Sequence, residues 1–248
     1  MSQATPGGLP RWVEIPLAAA GLMLLSPLLL AAAVAVRAGS PGPILFRQQR
    51  IGRHGRPFEL KKFRSMTTGR ASSGSRSNPQ VTAGDGPQVT AGDDPRVTRV
   101  GRVLRKTKVD ELPELWNILV GDMSFVGPRP EVPRFFDEDD PLWQDVTTVR
   151  PGLTDPVTLR LRNEEDLLSQ VDGDRETFYR EVLLPWKLRG VAEYLRRRSA
   201  GSDILIIVKT VAAILFPSRE PLPDLDEIRQ SEKKRDEPAG DPSRFNVE

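Results

Sequence analysis

A mostly helical α/β protein attached to a membrane near its N-terminus is the fold class the sequence predicts, on three observations. An uncharged apolar stretch opens the chain, two short strand-like runs follow it, and apolar residues at helical spacing recur through most of the remainder.

The apolar stretch is Ile15 to Val36, 22 residues without a charge, bounded by Arg11 and Arg37. As one straight helix it would rise about 33 Å, enough for a hydrocarbon core of about 30 Å. Pro27 lies near its middle, where it removes the backbone bond to the Met23 carbonyl, and Ser26 can bond back to the preceding turn. Two readings stand level on these residues. One is a spanning helix with a tolerated proline, and the other is a bent helix that dips into one leaflet and returns. A cleaved signal peptide fits less well, because Glu14 offsets Arg11 and the apolar run is too long for a typical h-region.

After a turn-rich exit at residues 38–43, Ile44–Phe46 and Phe58–Phe63 read as short strands joined by a hairpin loop at Gly52–Pro57. His54, the only histidine, is read there as a solvated turn residue. Residues 68–94 lack large apolar side chains and carry an eight-residue repeat, PQVTAGDG then PQVTAGDD, read as a disordered loop expansion. Val100, Val103 and Leu104 form one short helical face, and Val109, Leu112, Trp116 and Leu119 another. Pro113 is tolerated only in a first turn, so the second helix is expected to start at Val109 or Asp110. Glu176 to Arg198 is expected to be a helix interrupted at Pro185. Ile204–Phe216 is an apolar run too short to span, suited to a buried or interfacial helix. The residues before Arg11 and the acidic, proline-rich stretch 217–248 are expected to be disordered.

Composition removes whole classes of chemistry. With no cysteine there is no disulfide framework, thiolate nucleophile or cysteine-ligated metal, and one histidine cannot build a multi-histidine site. Catalysis would have to rest on carboxylates, Lys/Arg, hydroxyls and a divalent cation. Net charge is only +2, yet Arg37 to Arg70 holds nine Lys/Arg against one acid, Glu59. Such a block beside an apolar segment suits anionic lipid headgroups, a phosphorylated ligand or, third, nucleic acid.

Two features stand out. Asp110-Glu111, at an expected helix start just after Arg105, Lys106 and Lys108, should be held ionised by free N–H groups and nearby cations. By spacing alone, ordinary helix capping explains the pair as well. Gly121–Pro130 is a stiff loop presenting Arg129, which suits bidentate phosphate binding but also a plain turn.

The run PRVTRVGRVLRKTKVDELPELWNILVGDMSFVGPRPEV, preceded by the Ser26-Pro27 segment and LFRQQRIGRHGRPFELKKFRSM and followed by VRPGLT, resembles the bacterial sugar transferases. These are monotopic phosphoglycosyl transferases that act on undecaprenyl phosphate, and the similarity runs from Arg11 to Thr154 and more loosely to Phe216. The resemblance implies a re-entrant hairpin over 11–37 broken at Ser26 and Pro27, and one catalytic domain over 38–216 on the cytoplasmic face of the bacterial membrane. It also implies a ping-pong reaction that starts surface glycan or exopolysaccharide synthesis. An aspartate attacks the β-phosphate of a UDP-sugar, UMP leaves, and the phosphosugar passes to undecaprenyl phosphate. Carried onto this chain, Asp110 is the nucleophile, Glu111 helps hold Mg²⁺, Arg105 and Arg129 match active-site arginines, and Lys62 matches a basic position of the preceding motif. The partners implied are the donor, the lipid acceptor and membrane lipid, not nucleic acid; a non-enzymatic basic module binding anionic lipid or nucleic acid is the rival reading.

The chain departs from the family in two places. Pro151-Gly152-Leu153-Thr154 runs into Asp155-Pro156-Val157-Thr158 where many small members have Gly-Trp-Ala-Gln, and Glu114 stands where Gln is frequent.

Overall fold

The computed structural model describes residues 7–67, 94–216, 223 and 225–228. Helix α1 (Arg11–Leu24) runs into α2 (Ser26–Gly39) through a bend of 59°. The break falls where Pro27 cannot donate and the Ser26 hydroxyl donates to the Met23 carbonyl at 2.7 Å. No single described helix is long and apolar enough to cross a membrane, whereas the bent pair meets that test together. Met23 and Leu24, at the bend, are more than three-quarters exposed.

Strands β1 (Leu45–Ile51) and β2 (Pro57–Phe63) pair antiparallel, Leu45 opposite Phe63 and Ile51 opposite Pro57. The runs read from sequence are thus extended, and the loop between them is tighter, at Gly52–Arg56. His54 is exposed there in the left-handed region, with φ 57°. The repeat segment expected to be a disordered loop, residues 68–94, lies outside the described residues except for Asp94, which grips the Arg96 guanidinium (Nη2–Oδ2 2.6 Å).

Helix α3 (Arg99–Thr107) is capped by the Thr98 hydroxyl, which accepts from the Gly101 N–H at 2.8 Å. Gly101 is required by close approach, since a Cβ there would lie 1.9 Å from the Ser65 carbonyl oxygen. The expected single apolar face is only partly used: Leu104 is buried but Val103 faces outward. Helix α4 (Glu114–Val120) begins later than expected. Lys108, at φ 57°, ends α3, and a 3₁₀ turn over Val109–Glu111 follows, with Glu111 N–H donating to Lys108 and Leu112 N–H to Val109. Pro113 has no N–H for a bond to Val109, so α-helical bonding starts only beyond it. The apolar face expected at Val109, Leu112, Trp116 and Leu119 is also corrected. Wedged between α1 and β2, α4 buries Leu115 and Ile118 and leaves Trp116 about half exposed.

Gly121–Pro130, expected as loop, contains strand β3 (Ser124–Val126), which pairs parallel with β4 (Gly152–Thr154). The pairing rests on glycine again, because a Cβ on Gly152 would sit 2.1 Å from the Gly127 nitrogen. Helices α5 (Pro141–Val146), α6 (Pro156–Arg160), α7 (Glu164–Ser169), α8 (Arg175–Phe178) and α9 (Leu184–Arg197) build a second core around Trp143, Leu167, Leu183 and Trp186. The interruption expected at Pro185 falls earlier, as a wide π turn at Tyr179–Leu183, while Pro185 sits in the first turn of α9. Within the stretch expected to be a disordered tail, residues 225–228 form a helical turn that packs Leu225 and a fully buried Ile228 on this core. Helix α10 (Ala200–Leu215) opens with a Ser199–Ser202 capping box and leaves Ile204, Leu205, Val208 and Val211 about half exposed.

Two buried polar clusters fasten the layers. Glu14 of α1 accepts from the Ser124 hydroxyl and the Phe125 N–H (3.1 Å), while Arg11 donates to Glu14 and to the Leu119 carbonyl, both at 3.3 Å. Asp203, fully buried, accepts from Arg198 (2.8 Å), the Tyr194 hydroxyl (2.6 Å) and the Leu9 N–H (2.9 Å). Leu9 and its neighbours from Gly7 on are therefore placed within the stretch expected to be a disordered N-terminus. Arg64 of the segment after β2 donates to the Ser40 carbonyl (2.7 Å) and hydroxyl (2.9 Å), tying the end of α2 to the sheet.

Candidate active site

The 3₁₀ turn after α3 sets Asp110 and Glu111 side by side at a cavity of about 260 Å³. Lys62 reaches the same cavity from β2, Arg105 from α3 and Arg129 from the loop after β3, so every charged residue that the resemblance placed in the site lines it, joined by Arg50 from β1, which the sequence did not single out. Ser26 and Pro27 do not, being at the bend between α1 and α2.

The Arg129 loop is stiff for identifiable reasons. Gly127 N–H donates to the Thr154 carbonyl (3.0 Å), Gly152 N–H to the Pro128 carbonyl (2.9 Å), and Ile51 N–H to the Glu131 carbonyl (2.8 Å). Arg50 adds a bond from Nη1 to the Pro130 carbonyl at 3.1 Å. So held, Arg129 forks onto Glu111 with Nη2–Oε1 at 2.5 Å and Nη1–Oε2 at 3.4 Å. Arg105 is bonded to Glu165 of α7. Lys62 lies over the Phe46 ring, 5.5 Å from its centroid, and α4 is tied to the same strand by Asn117, which accepts from Lys61 N–H (3.1 Å) and donates to the Glu59 carbonyl (2.7 Å).

Electrostatics separates the two adjacent carboxylates. Burial works against a charged Glu111, but Arg129, Lys108 and Lys62 outweigh it and hold its pKa down to about 2. Asp110 goes the other way, contrary to the expectation that both would be held ionised: burial raises its pKa and the Glu111 charge adds to the rise, with Lys62, Lys108 and Arg105 offsetting only part. A 3₁₀ turn offers weaker N–H stabilisation than the start of a full helix, and Asp110 is 5% exposed. Its Oδ1 is buried and, among the described residues, has no hydrogen-bond partner. Glu114, one turn on, is pushed up to about 8 by burial and then by Glu111.

Sequence reasoning missed the far wall. Lys187 of α9 donates to Tyr179 (2.9 Å), Glu131 (3.1 Å) and Glu164 (3.2 Å), and the Tyr179 hydroxyl donates to Glu131. All four line the cavity. Burial disfavours the charged lysine, yet Glu164, Tyr179 and Glu131 together keep its pKa well above normal. The only sequence signal was a lone lysine within the apolar LLPWKL run.

A buried aspartate beside a partly buried glutamate, ringed by guanidinium and ammonium groups, suits a polyanionic ligand. The model of the bacterial sugar transferase family matches residues 7–217. A UDP-N-acetylgalactosamine-undecaprenyl-phosphate N-acetylgalactosaminephosphotransferase of Aeromonas hydrophila is 36% identical over 83% of this chain and 43% of its own length. A UDP-glucose:undecaprenyl-phosphate glucose-1-phosphate transferase of Caulobacter vibrioides is 37% identical over 83% of this chain and 69% of its own length. A protein of the same description from Escherichia coli is 36% identical over 82% and 39% respectively. The chain thus spans less than half the length of two of these relatives and about two-thirds of the third. The match of the family model over residues 7–217 shows that this chain belongs to the bacterial sugar transferase family.

Proposed function

We propose that the protein is an undecaprenyl-phosphate sugar phosphotransferase that moves a sugar 1-phosphate from a UDP-sugar to undecaprenyl phosphate through a covalent intermediate on Asp110, at the first step of surface glycan or exopolysaccharide assembly. The observation that carries the reading is the Asp110-Glu111 pair at a cavity lined by Lys62, Arg50, Arg105 and Arg129, with Asp110 Oδ1 unpartnered among the described residues.

Asp110 attacks the β-phosphorus. A bond forms from its carboxylate oxygen to phosphorus, the bond to the bridging oxygen breaks, and UMP leaves with that electron pair. An oxygen of the lipid phosphate then attacks the same phosphorus and releases the aspartate. The sugar C1–O bond is never broken, so the anomeric configuration is retained. Arg129 and Lys62 lower the repulsion between the incoming diphosphate and two adjacent carboxylates.

The residues fit Mg²⁺, which prefers oxygen donors and is commonly held by one or two carboxylates plus substrate phosphates. Glu111, with the unpartnered Asp110 Oδ1 nearby, would hold it. Among the described residues no cluster of three metal-ligating side chains is present, and oxygens of the nucleotide sugar would be the further donors to the ion. When bound, the ion would supply charge neutralisation at the phosphates.

The bent α1–α2 pair, exposed at its bend, supports a re-entrant hairpin entering one leaflet; the cytoplasmic face is the side the family resemblance implies. The half-exposed apolar side of α10 supports contact with that face.

The test is incubation of full-length protein with a UDP-sugar labelled at the β-phosphate, without lipid acceptor. Label should stay on the wild type and be released by undecaprenyl phosphate, and Asp110→Asn should trap none and release no UMP. Normal turnover by Asp110→Asn would remove the proposed nucleophile.

A further inference from the structure

A nucleotide sugar presents a cavity with charged phosphates and a neutral polyol, and the carboxylates lining this cavity divide accordingly. Asp110 and Glu111 face the phosphate chemistry, Glu165 is 40% exposed and turned onto Arg105, the arginine just before that pair, and Glu131 is buried and bonded to Tyr179 and Lys187. Glu164 remains. Its side chain is 25% exposed, and among the described residues its carboxylate is bonded to Lys187 alone, at 3.2 and 3.5 Å.

An ionised carboxylate has about four acceptor positions, so one ammonium leaves Glu164 with unused capacity. That capacity would repel a phosphate, whereas a hydroxyl is a neutral donor that suits it. Leu153 and Leu159, both partly exposed, line the same cavity and offer apolar surface to the C–H faces of a pyranose. Lys187 is itself pinned by Glu131 and Tyr179, so the carboxylate it holds has a fixed position.

We infer that Glu164 accepts hydrogen bonds from hydroxyls of the transferred sugar and thereby selects which UDP-sugar is used, with Lys187 as its positioning residue. Glu164 opens α7, just after the stretch Asp155–Thr158 where this chain leaves the usual family sequence. The inference rests on the proposed function.

The full chain in detergent is assayed with Mg²⁺ and undecaprenyl phosphate for UMP release from UDP-glucose, UDP-galactose, UDP-N-acetylglucosamine and UDP-N-acetylgalactosamine, and UMP binding is measured by calorimetry. In Glu164→Gln, kcat/KM for the preferred donor should fall about tenfold or more relative to at least one other donor, with UMP affinity unchanged. Glu164→Asp keeps the charge facing Lys187 but shortens the reach, and should shift the ranking in the same sense. Equal loss of UMP affinity would move the contact to the ribose or uracil and overturn the inference, and so would a common slowing of all four donors. An active wild type with unaltered ranking in both variants overturns this inference alone. A wild type silent on all four donors refutes the proposed function, and the inference with it.

Discussion

Glu114→Gln tests the electrostatics of the site most directly. Glu114 is 2% exposed, and its pKa is raised from 4.5 to about 8 by burial, then by Glu111, with Asp110 adding to it. The folded state therefore binds a proton more tightly than the unfolded chain does. A raised carboxyl pKa gives stability that is complete below the unfolded value and is lost as pH climbs through the folded value. At about 1.36 kcal/mol per pH unit, the interval between 4.5 and about 8 amounts to a loss on the order of 4 kcal/mol by pH 8. Glutamine matches the protonated acid in shape and needs no proton, so the variant should equal wild type at pH 4 and exceed it at pH 8. For a chain of this size each kcal/mol moves Tm by about 2–4 °C, so the gain at pH 8 is on the order of 10 °C. The assay is thermal unfolding followed by tryptophan fluorescence, in detergent with EDTA so that no divalent cation neutralises Glu111. A difference independent of pH, or a variant less stable at pH 8, would refute the argument.

Other consequences follow from neighbouring features. Arg129→Lys keeps the charge but loses the fork on Glu111, and the UMP release rate should drop by about 10²–10³, measured with saturating donor. Asp203→Asn leaves Arg198 buried without its counter-charge, and chemical denaturation should register a loss of about 3–5 kcal/mol. Deleting Pro79–Asp93 removes the repeats while keeping the Asp94–Arg96 grip, and UMP release should stay near the wild-type rate; a folded but inactive deletion would contradict the reading of the repeats as a loop expansion.

What the sequence made legible was what short-range physics controls. Pro27 and Ser26 mark the helix break, the Gly- and Pro-containing loop at Gly52–Pro57 between two short apolar runs marks the β1–β2 pair, and the basic run around Asp110-Glu111 marks the cavity's cations. Long-range contacts were invisible. β3 is three residues whose partner lies some 28 positions away, and its glycine approach has no local signature. The Trp116 face misled because periodicity finds apolar residues without saying which of them a neighbouring element covers. Asp110 was misjudged because a sequence shows nearby cations but not the burial that opposes them. The Lys187 cluster gathers side chains from four separate segments, which no spacing rule joins.

The Arg11–Glu14 pair makes the first helix a structural member of the reaction centre rather than a detachable tether. It grips β3, which leads to Arg129, and the far end of the helix that follows Asp110 and Glu111. A truncation that removes α1 would strip the keystone from the arch it supports. Any other N-terminal segment put in its place would leave β3 and α4 unregistered, so a redesign has to carry residues 9–14 along with the domain.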